Sequence, residues 1–450
     1  MLTRRKPIPP ALRLVIGLFT LVAIGTILLW LPISGSVRQL RFNEALFTAI
    51  SALSVTGLSV IVPVRDLSWF GQGVLLVLIQ IGGVGFMVIA VLILRLLGRR
   101  ISLIERQALT DSLGLAAPGS ILKLTQRMLA VIISLELLGA MLLYAHWRND
   151  DRLSEGQAAF FALFHAVSAF CNAGFDLFSG TQGYIDGIPK DNLSLILLGS
   201  LIFIGGLGIP VIGDLLIYPR MKRLSLHTRI TLLAVTFLIL SGTVGFFFAE
   251  GNPVSGTLTA ETPTRRLLIA LFQSISARTA GFAGISAFTE ITPASELLLI
   301  TLMFIGCPPA SMGGGITTGT FAVLTISLYS YARGLQVPQF GGRSLAQGTV
   351  RKAAAVLTVS LFVALLATWL ILMTHPDAPL DLVVFEVISA FATCGLSLGF
   401  TDDLNLFGQA VIMFVMFWGR LGALTIVVAL ARPALHAQKV LYPEEQILIG

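Results

Sequence analysis

The sequence predicts an all-α integral membrane protein: eight transmembrane helices forming four helix/pore-loop/helix repeats with pseudo-fourfold symmetry around one pore. Three observations predict it. Of 450 residues, 55% are hydrophobic and only 12% charged, against roughly a quarter charged in soluble domains. The apolar residues gather in blocks of about 20, long enough to cross a hydrocarbon core of roughly 30 Å. A short motif ending in glycine recurs four times, between alternate pairs of blocks.

The blocks run over residues 11–31, 73–97, 128–145, 193–218, 230–248, 297–331, 353–373 and 406–430. The first follows Arg4, Arg5 and Lys6 as a signal peptide would, but it is too long for such a segment and no small-residue cleavage site follows, so it is expected to remain as a helix. The net charge of +7 is distributed by topology rather than clustered for nucleic acid. With the amino terminus inside, 20 of the 30 Lys and Arg fall on the cytoplasmic side and 8 outside, leaving Arg278 and Arg420 within the membrane, as the positive-inside rule requires. Of the 23 acidic residues, 17 fall outside, which concentrates cations at an outer pore mouth. Cys171, Cys307 and Cys394 have neither paired nor metal-ligand spacing.

The repeated motif reads FTAISALSVTGL at 47–58, FHAVSAFCNAGF at 164–175, FQSISARTAGF at 272–282 and FEVISAFATCGL at 385–396. Its glycines, Gly57, Gly174, Gly281 and Gly395, are separated by 117, 107 and 114 residues, dividing the chain into repeats at 1–100, 101–222, 223–335 and 336–450. A second marker follows each: IGGVG at 81–85, IGGLG at 204–208, IGCPP at 305–309 and WGRLG at 418–422. The first motif is too short to span, so each copy reads as a helix that enters the bilayer and turns back.

Irregular backbone at that depth survives only where it is buried in protein or lines a wet cavity. Four converging turns imply one shared cavity. Glycine permits positive φ, so carbonyls can turn toward a common axis and replace a cation's water shell. The candidate selectivity filter is therefore Val55, Thr56 and Gly57; Asn172, Ala173 and Gly174; Thr279, Ala280 and Gly281; and Thr393, Cys394 and Gly395. This chemistry needs no catalytic base or nucleophile, and the five histidines are scattered, so no enzyme is expected. His165, in the second motif, reads as a packed, hydrogen-bonded residue. A secondary carrier has inverted repeats with broken midplane helices, whereas units of two spans each insert in the same orientation.

Residues 296–331 are 36 long, about 54 Å as one helix, so this segment must break or protrude. Pro308, Pro309, Gly313, Gly314, Gly315 and Gly319 supply the break. The equivalent segments of the other repeats read as unbroken. The expected gate is a constriction below the filter, made of Gly313, Gly314, Gly315, Thr317, Thr318, Gly319 and Arg420, and standing clear of the four loops. Arg420 takes the slot held by Gly83, Gly206 and Cys307 in the other repeats. A charge there needs a partner, and two roles stay open: capping backbone carbonyls, or facing the pore against the broken segment. Arg278 is expected to brace its loop, and Glu136 to be packed or paired.

The loops RTAGF and CNAGF, the GGGITTG stretch at 313–319 and the closing YPEEQILIG resemble the KtrB family, membrane subunits of Ktr potassium uptake systems in the wider Trk/Ktr/HKT superfamily. That resemblance implies channel-like potassium uptake across the cytoplasmic (inner) membrane, both termini cytoplasmic, and an intramembrane gating loop. It further implies a homodimer seated on a cytosolic ring of nucleotide-binding RCK subunits resembling KtrA, with no nucleic acid, no transition metal and no cofactor in the chain beyond potassium in the pore. Sodium activation belongs to the same set of expectations. The longer TVGYG filter signature is absent here, so a sodium or sodium/potassium translocator stays open as the alternative, with a secondary carrier behind it.

Overall fold

Polar caps and prolines set where helices begin. The computed structural model describes residues 10–85, 121–181, 183, 184 and 186–422. The first quarter holds α1 (Pro10–Trp30), the short α2 (Phe42–Ser54) and α3 (Trp69–Val84). The second holds α4 (Ile121–Trp147), α5 (Glu155–Phe170), α6 (Asn192–Gly206) and α7 (Ile209–Met221). Then come α8 (Leu226–Ala249), α9 (Pro263–Ser276), α10 (Pro293–Phe304) and α11 (Thr318–Ala332). A hairpin pairing Gln339–Phe340 with Arg343–Ser344 leads to α12 (Gln347–Thr374), α13 (Leu380–Ala392) and α14 (Leu406–Leu421). Ser68, Asp191, Thr292 and Asn405 each accept a backbone amide at the start of α3, α6, α10 and α14, satisfying a donor the helix cannot.

Among the described residues, three helices, α4, α8 and α12, are each long and apolar enough to cross a membrane. Their outward positions carry Met141, Phe237, Phe248, Phe362 and Leu365, all exposed, so these helices are apolar outside as well as inside, which suits a lipid solvent. The protein is a multi-pass membrane protein. The sequence-predicted spans at 73–97 and 406–430 continue past residues 85 and 422, outside the described residues.

Packing follows a circle. The long helices α1, α4, α8 and α12 lie against the short helices α2, α5, α9 and α13 of their own quarters. The following helix of each quarter also packs on the short helix of the next: α3 on α5, α6 on α9, α10 on α13, and α14 back on α2. Phe47, Phe164, Phe272 and Phe385, one per short helix, are at most 2% exposed and fill the seams.

One expectation is overturned. The inner segment of the second quarter is not continuous: α6 and α7 meet at 97°. Gly208 has φ 86°, a conformation helix cannot continue, and Pro210 follows without an amide donor. Gly85 (φ 91°) and Gly422 (φ 77°), the closing glycines of the marker in the first and fourth quarters, end α3 and α14 in the same way. In the third quarter Pro308 and Pro309 precede Ala310, itself at φ 57°. Disruption at this marker is thus common to all four quarters.

Candidate functional site

Each short helix ends in the same backbone figure. Val55 (φ 59°), Asn172 (57°), Thr279 (77°) and Thr393 (50°) are left-handed, and two residues later Gly57 (91°), Gly174 (68°), Gly281 (76°) and Gly395 (95°) are again at positive φ. Four left-handed non-glycine residues at matching places require over-determination by their surroundings. The motif serine provides part of it. Ser51 and Ser389 each accept the backbone amide of the loop glycine, Gly57 and Gly395, at 3.1 Å. Ser168 and Ser276 instead donate to the carbonyls just past it, Phe175 at 2.9 Å and Phe282 at 2.6 Å. The serine was visible in all four repeats, six residues before the glycine in the first, second and fourth and five before it in the third; in each it bonds the loop backbone.

The loops meet one another in a closed order. A Cβ added to Gly57 would overlap the Ala173 carbonyl oxygen and lie 3.0 Å from the Gly174 Cα. One added to Gly174 would press on the Ala280 oxygen, 3.2 Å from the Gly281 Cα; one on Gly281, the Cys394 oxygen, 3.1 Å from the Gly395 Cα. Gly395 closes the circle against the Thr56 oxygen, 3.2 Å from the Gly57 Cα. The four glycines and the residue before each, Thr56, Ala173, Ala280 and Cys394, therefore come together in one ring, with one carbonyl at each junction.

Beneath two of the loops lies an irregular segment, residues 305–317, between α10 and α11. Its arms are joined: Ile305 bridges Ile316, and the Thr318 amide donates to the Cys307 carbonyl at 3.1 Å. Its tip is pinned from two sides. The Ile209 amide at the α6–α7 break donates to the Ala310 carbonyl at 3.1 Å, and Arg420 Nη1 donates to the Met312 carbonyl. Arg420 Nη2 donates to the carbonyls of Gly82 and Gly83 at the end of α3. It thus caps carbonyls and touches the broken segment at once, so the two alternatives are not exclusive.

The expectation that the segment stands clear of the loops fails. Cβ atoms built on Gly313 and Gly314 would run into the side chains of Thr279 and Thr393, so only glycine lets this backbone lie against the third and fourth loops. Gly315 has φ 77° beside Ala392. Thr317 caps α11 by accepting the Thr320 amide, while Gly319 sits under Pro309. Thr318 Oγ1 donates to the Gly306 carbonyl at 2.8 Å. Arg278, 4% exposed, donates to that same carbonyl at 3.0 Å and to Thr318 Oγ1 at 2.7 Å; it ties the third loop to the segment. Glu136 is buried, its two oxygens accepting from Gln80 Nε2 at 3.2 and 3.1 Å. His165 is fully buried and donates from Nδ1 to the Phe161 carbonyl at 2.7 Å.

Residues 15–438 match the TrkH family, cation transport proteins. The chain belongs to that family. This TrkH-family chain is 37% identical to the Ktr system potassium uptake protein B of Bacillus subtilis, over 98% of its length and 97% of the relative's. It is 34% identical to the potassium/sodium uptake protein NtpJ of Enterococcus hirae, covering 99% and 98%. The crystal structure of the potassium transporter TrkH from Vibrio parahaemolyticus superposes with a TM-score of 0.72 at 20% identity, covering 96% of this chain and 86% of that one, which establishes a shared fold. TrkH-family proteins are ion transporters, not enzymes.

Proposed function

We propose that this chain carries potassium across the cytoplasmic membrane as a channel-like uptake protein, through the ring formed by its four glycine loops. The observation that carries the reading is the closed glycine-to-carbonyl order, Gly57 to Ala173, Gly174 to Ala280, Gly281 to Cys394 and Gly395 to Thr56. Carbonyl dipoles arranged around an axis replace the waters a cation sheds. The carbonyl ends of α2, α5, α9 and α13 add partial negative charge toward the same place. Below, residues 313–319 with Arg420 act as the gate: the segment obstructs the path and the guanidinium repels the permeant ion.

The eight spans form four two-span repeats, at 1–100, 101–222, 223–335 and 336–450, with both termini cytoplasmic. Relatives named as protein B of a Ktr system belong to a system with further components, which supports a partner for this chain. The partner is a cytosolic nucleotide-binding RCK ring, and the chain itself pairs as a homodimer. The chain holds no cofactor of its own. Sodium is the second permeant ion to consider, because the relative NtpJ is named a potassium/sodium uptake protein; sodium activation falls under the same reading.

The test is uptake of potassium and rubidium, with sodium as competitor, in cells lacking their own potassium uptake. Single serine variants of Gly57, Gly174, Gly281 and Gly395 should raise the KM for potassium and change the cation preference. Four variants with wild-type affinity and preference would remove the ring from the conduction path.

A further inference from the structure

One position of the repeated motif differs in every copy. Directly after the buried phenylalanine stand Thr48, His165, Gln273 and Glu386, each with no solvent exposure. They sit at the same place on α2, α5, α9 and α13, behind the loops, yet they hold the chain beyond the glycine very differently.

In the fourth quarter the Glu386 carboxylate accepts from Ser397 Oγ at 2.7 Å and from Thr401 Oγ1. In the second, His165 Nε2 meets Asp176 Oδ1 at 2.9 Å, and Asp176 in turn accepts the amide of Phe178 at 2.7 Å and the Ser179 hydroxyl at 2.7 Å. In the third, Gln273 makes one such bond, its oxygen accepting the Gly284 amide at 3.0 Å, while its Nε2 has no partner among the described residues. In the first, the Thr48 hydroxyl has none. The circle runs first, second, third, fourth quarter, so the two loops that this position braces with an ionisable side chain face one another across a diagonal, and the two with a neutral side chain there face one another across the other.

We propose that His165 and Glu386 are positioning residues that fix the second and fourth loops beyond the glycine and so determine the cation preference of the ring, a brace that Thr48 and Gln273 do not match in the first and third. Each acts through the loop it holds and does not touch the ion. The physical basis is that carbonyls discriminate between cations of different radius only if something resists their moving inward around the smaller one. A buried hydrogen bond to a charged group supplies more of that resistance than a neutral one. The inference rests on the proposed function of the ring.

The test compares alanine variants at all four positions, measuring KM and maximal rate for potassium, rubidium and sodium at matched membrane content. Glu386→Ala and His165→Ala should each raise the potassium KM about tenfold, the size of losing one bond to a buried charged group, and should lower the potassium-to-sodium ratio with the maximal rate held within about twofold. Thr48→Ala should leave KM and ratio within about twofold, since no bond is lost. Glu386→Gln, whose amide oxygen still accepts a hydroxyl, should fall between wild type and alanine. Should Glu386→Ala fail to insert, Thr401→Val removes a bond from the loop side and should show the same shift. The proposal is overturned if Thr48→Ala shifts the ratio as far as Glu386→Ala, or if the second and fourth variants change only the maximal rate. Gly395→Ser is run alongside: no effect there would overturn the ring reading itself, whereas a clear effect with none at Glu386 and His165 would overturn only the bracing.

Discussion

Replacing Arg420 by alanine separates a gate from a mere cap. The guanidinium bonds Met312 of the irregular segment and Gly82 and Gly83 at the end of α3. Only the Met312 bond joins Arg420 to the segment that must withdraw, so it alone enters the opening equilibrium. A hydrogen bond to a charged donor is worth about 1.5–3 kcal/mol net, and 1.4 kcal/mol is a factor of ten, so opening should become about 10- to 150-fold easier. Lysine, which lacks the planar fork that reaches two acceptors at once, should give an intermediate rise. The assay is rubidium flux into liposomes containing equal amounts of folded protein. The potassium-to-sodium ratio should stay at its wild-type value, because Arg420 bonds none of the four loops. Flux at or below wild type in both variants would refute the gate.

Deleting residues 313–319 should raise flux and also lower the potassium-to-sodium ratio, because Gly313 and Gly314 lie against Thr279 and Thr393; competition uptake of sodium against potassium checks it. Arg278→Met leaves the third loop untied from Gly306 and Thr318, and loss of two buried charged bonds should cost about 3–5 kcal/mol, read as a large fall in melting temperature in detergent. Outside the membrane, Arg152 bonds the Asp150 carboxylate at 2.9 and 2.8 Å and, as the main cause, holds it well below the usual carboxylate range. A lowered folded pKa gives stability that is present above the unfolded value of about 3.9 and lost as pH falls through the folded value. Asp150→Asn should therefore destabilise by under about 1 kcal/mol, because the half-buried carboxylate pairs with an exposed, solvent-screened Arg152, with a constant gap from pH 8 to 5 that narrows below about pH 4, followed by thermal melts across that range.

The ring was legible because the sequence states it four times. Phenylalanine, serine and glycine, at one spacing in three repeats and one residue closer in the third, mark a buried anchor, a bond to the loop backbone and a left-handed turn, and each is a matter of residue type. The break in the third inner segment was legible for the same reason, since two prolines and a run of glycines stand in it. The break at Gly208 was not, although Pro210 stood beside it, because the apolar run from 193 to 218 continues unbroken through a change of backbone direction. Hydropathy carries no record of φ. Arg420 was recognisable as a charge in a slot of small residues, but its partners are carbonyls, which every residue possesses. The contacts of Gly313 and Gly314 with the loops were hidden because the threonines they meet lie 34 and 79 residues away in the chain.

The slot held by Gly83, Gly206, Cys307 and Arg420 has a consequence for inheritance. A ring assembled from four identical subunits can only accept a change in quadruplicate: one arginine codon would place four guanidiniums around the same axis, each repelling the other three and the passing ion. With all four quarters in a single polypeptide, a codon alters one quadrant. A lone positive charge can then be installed against carbonyls of the two neighbouring quarters, and the quadrant opposite can stay small and neutral.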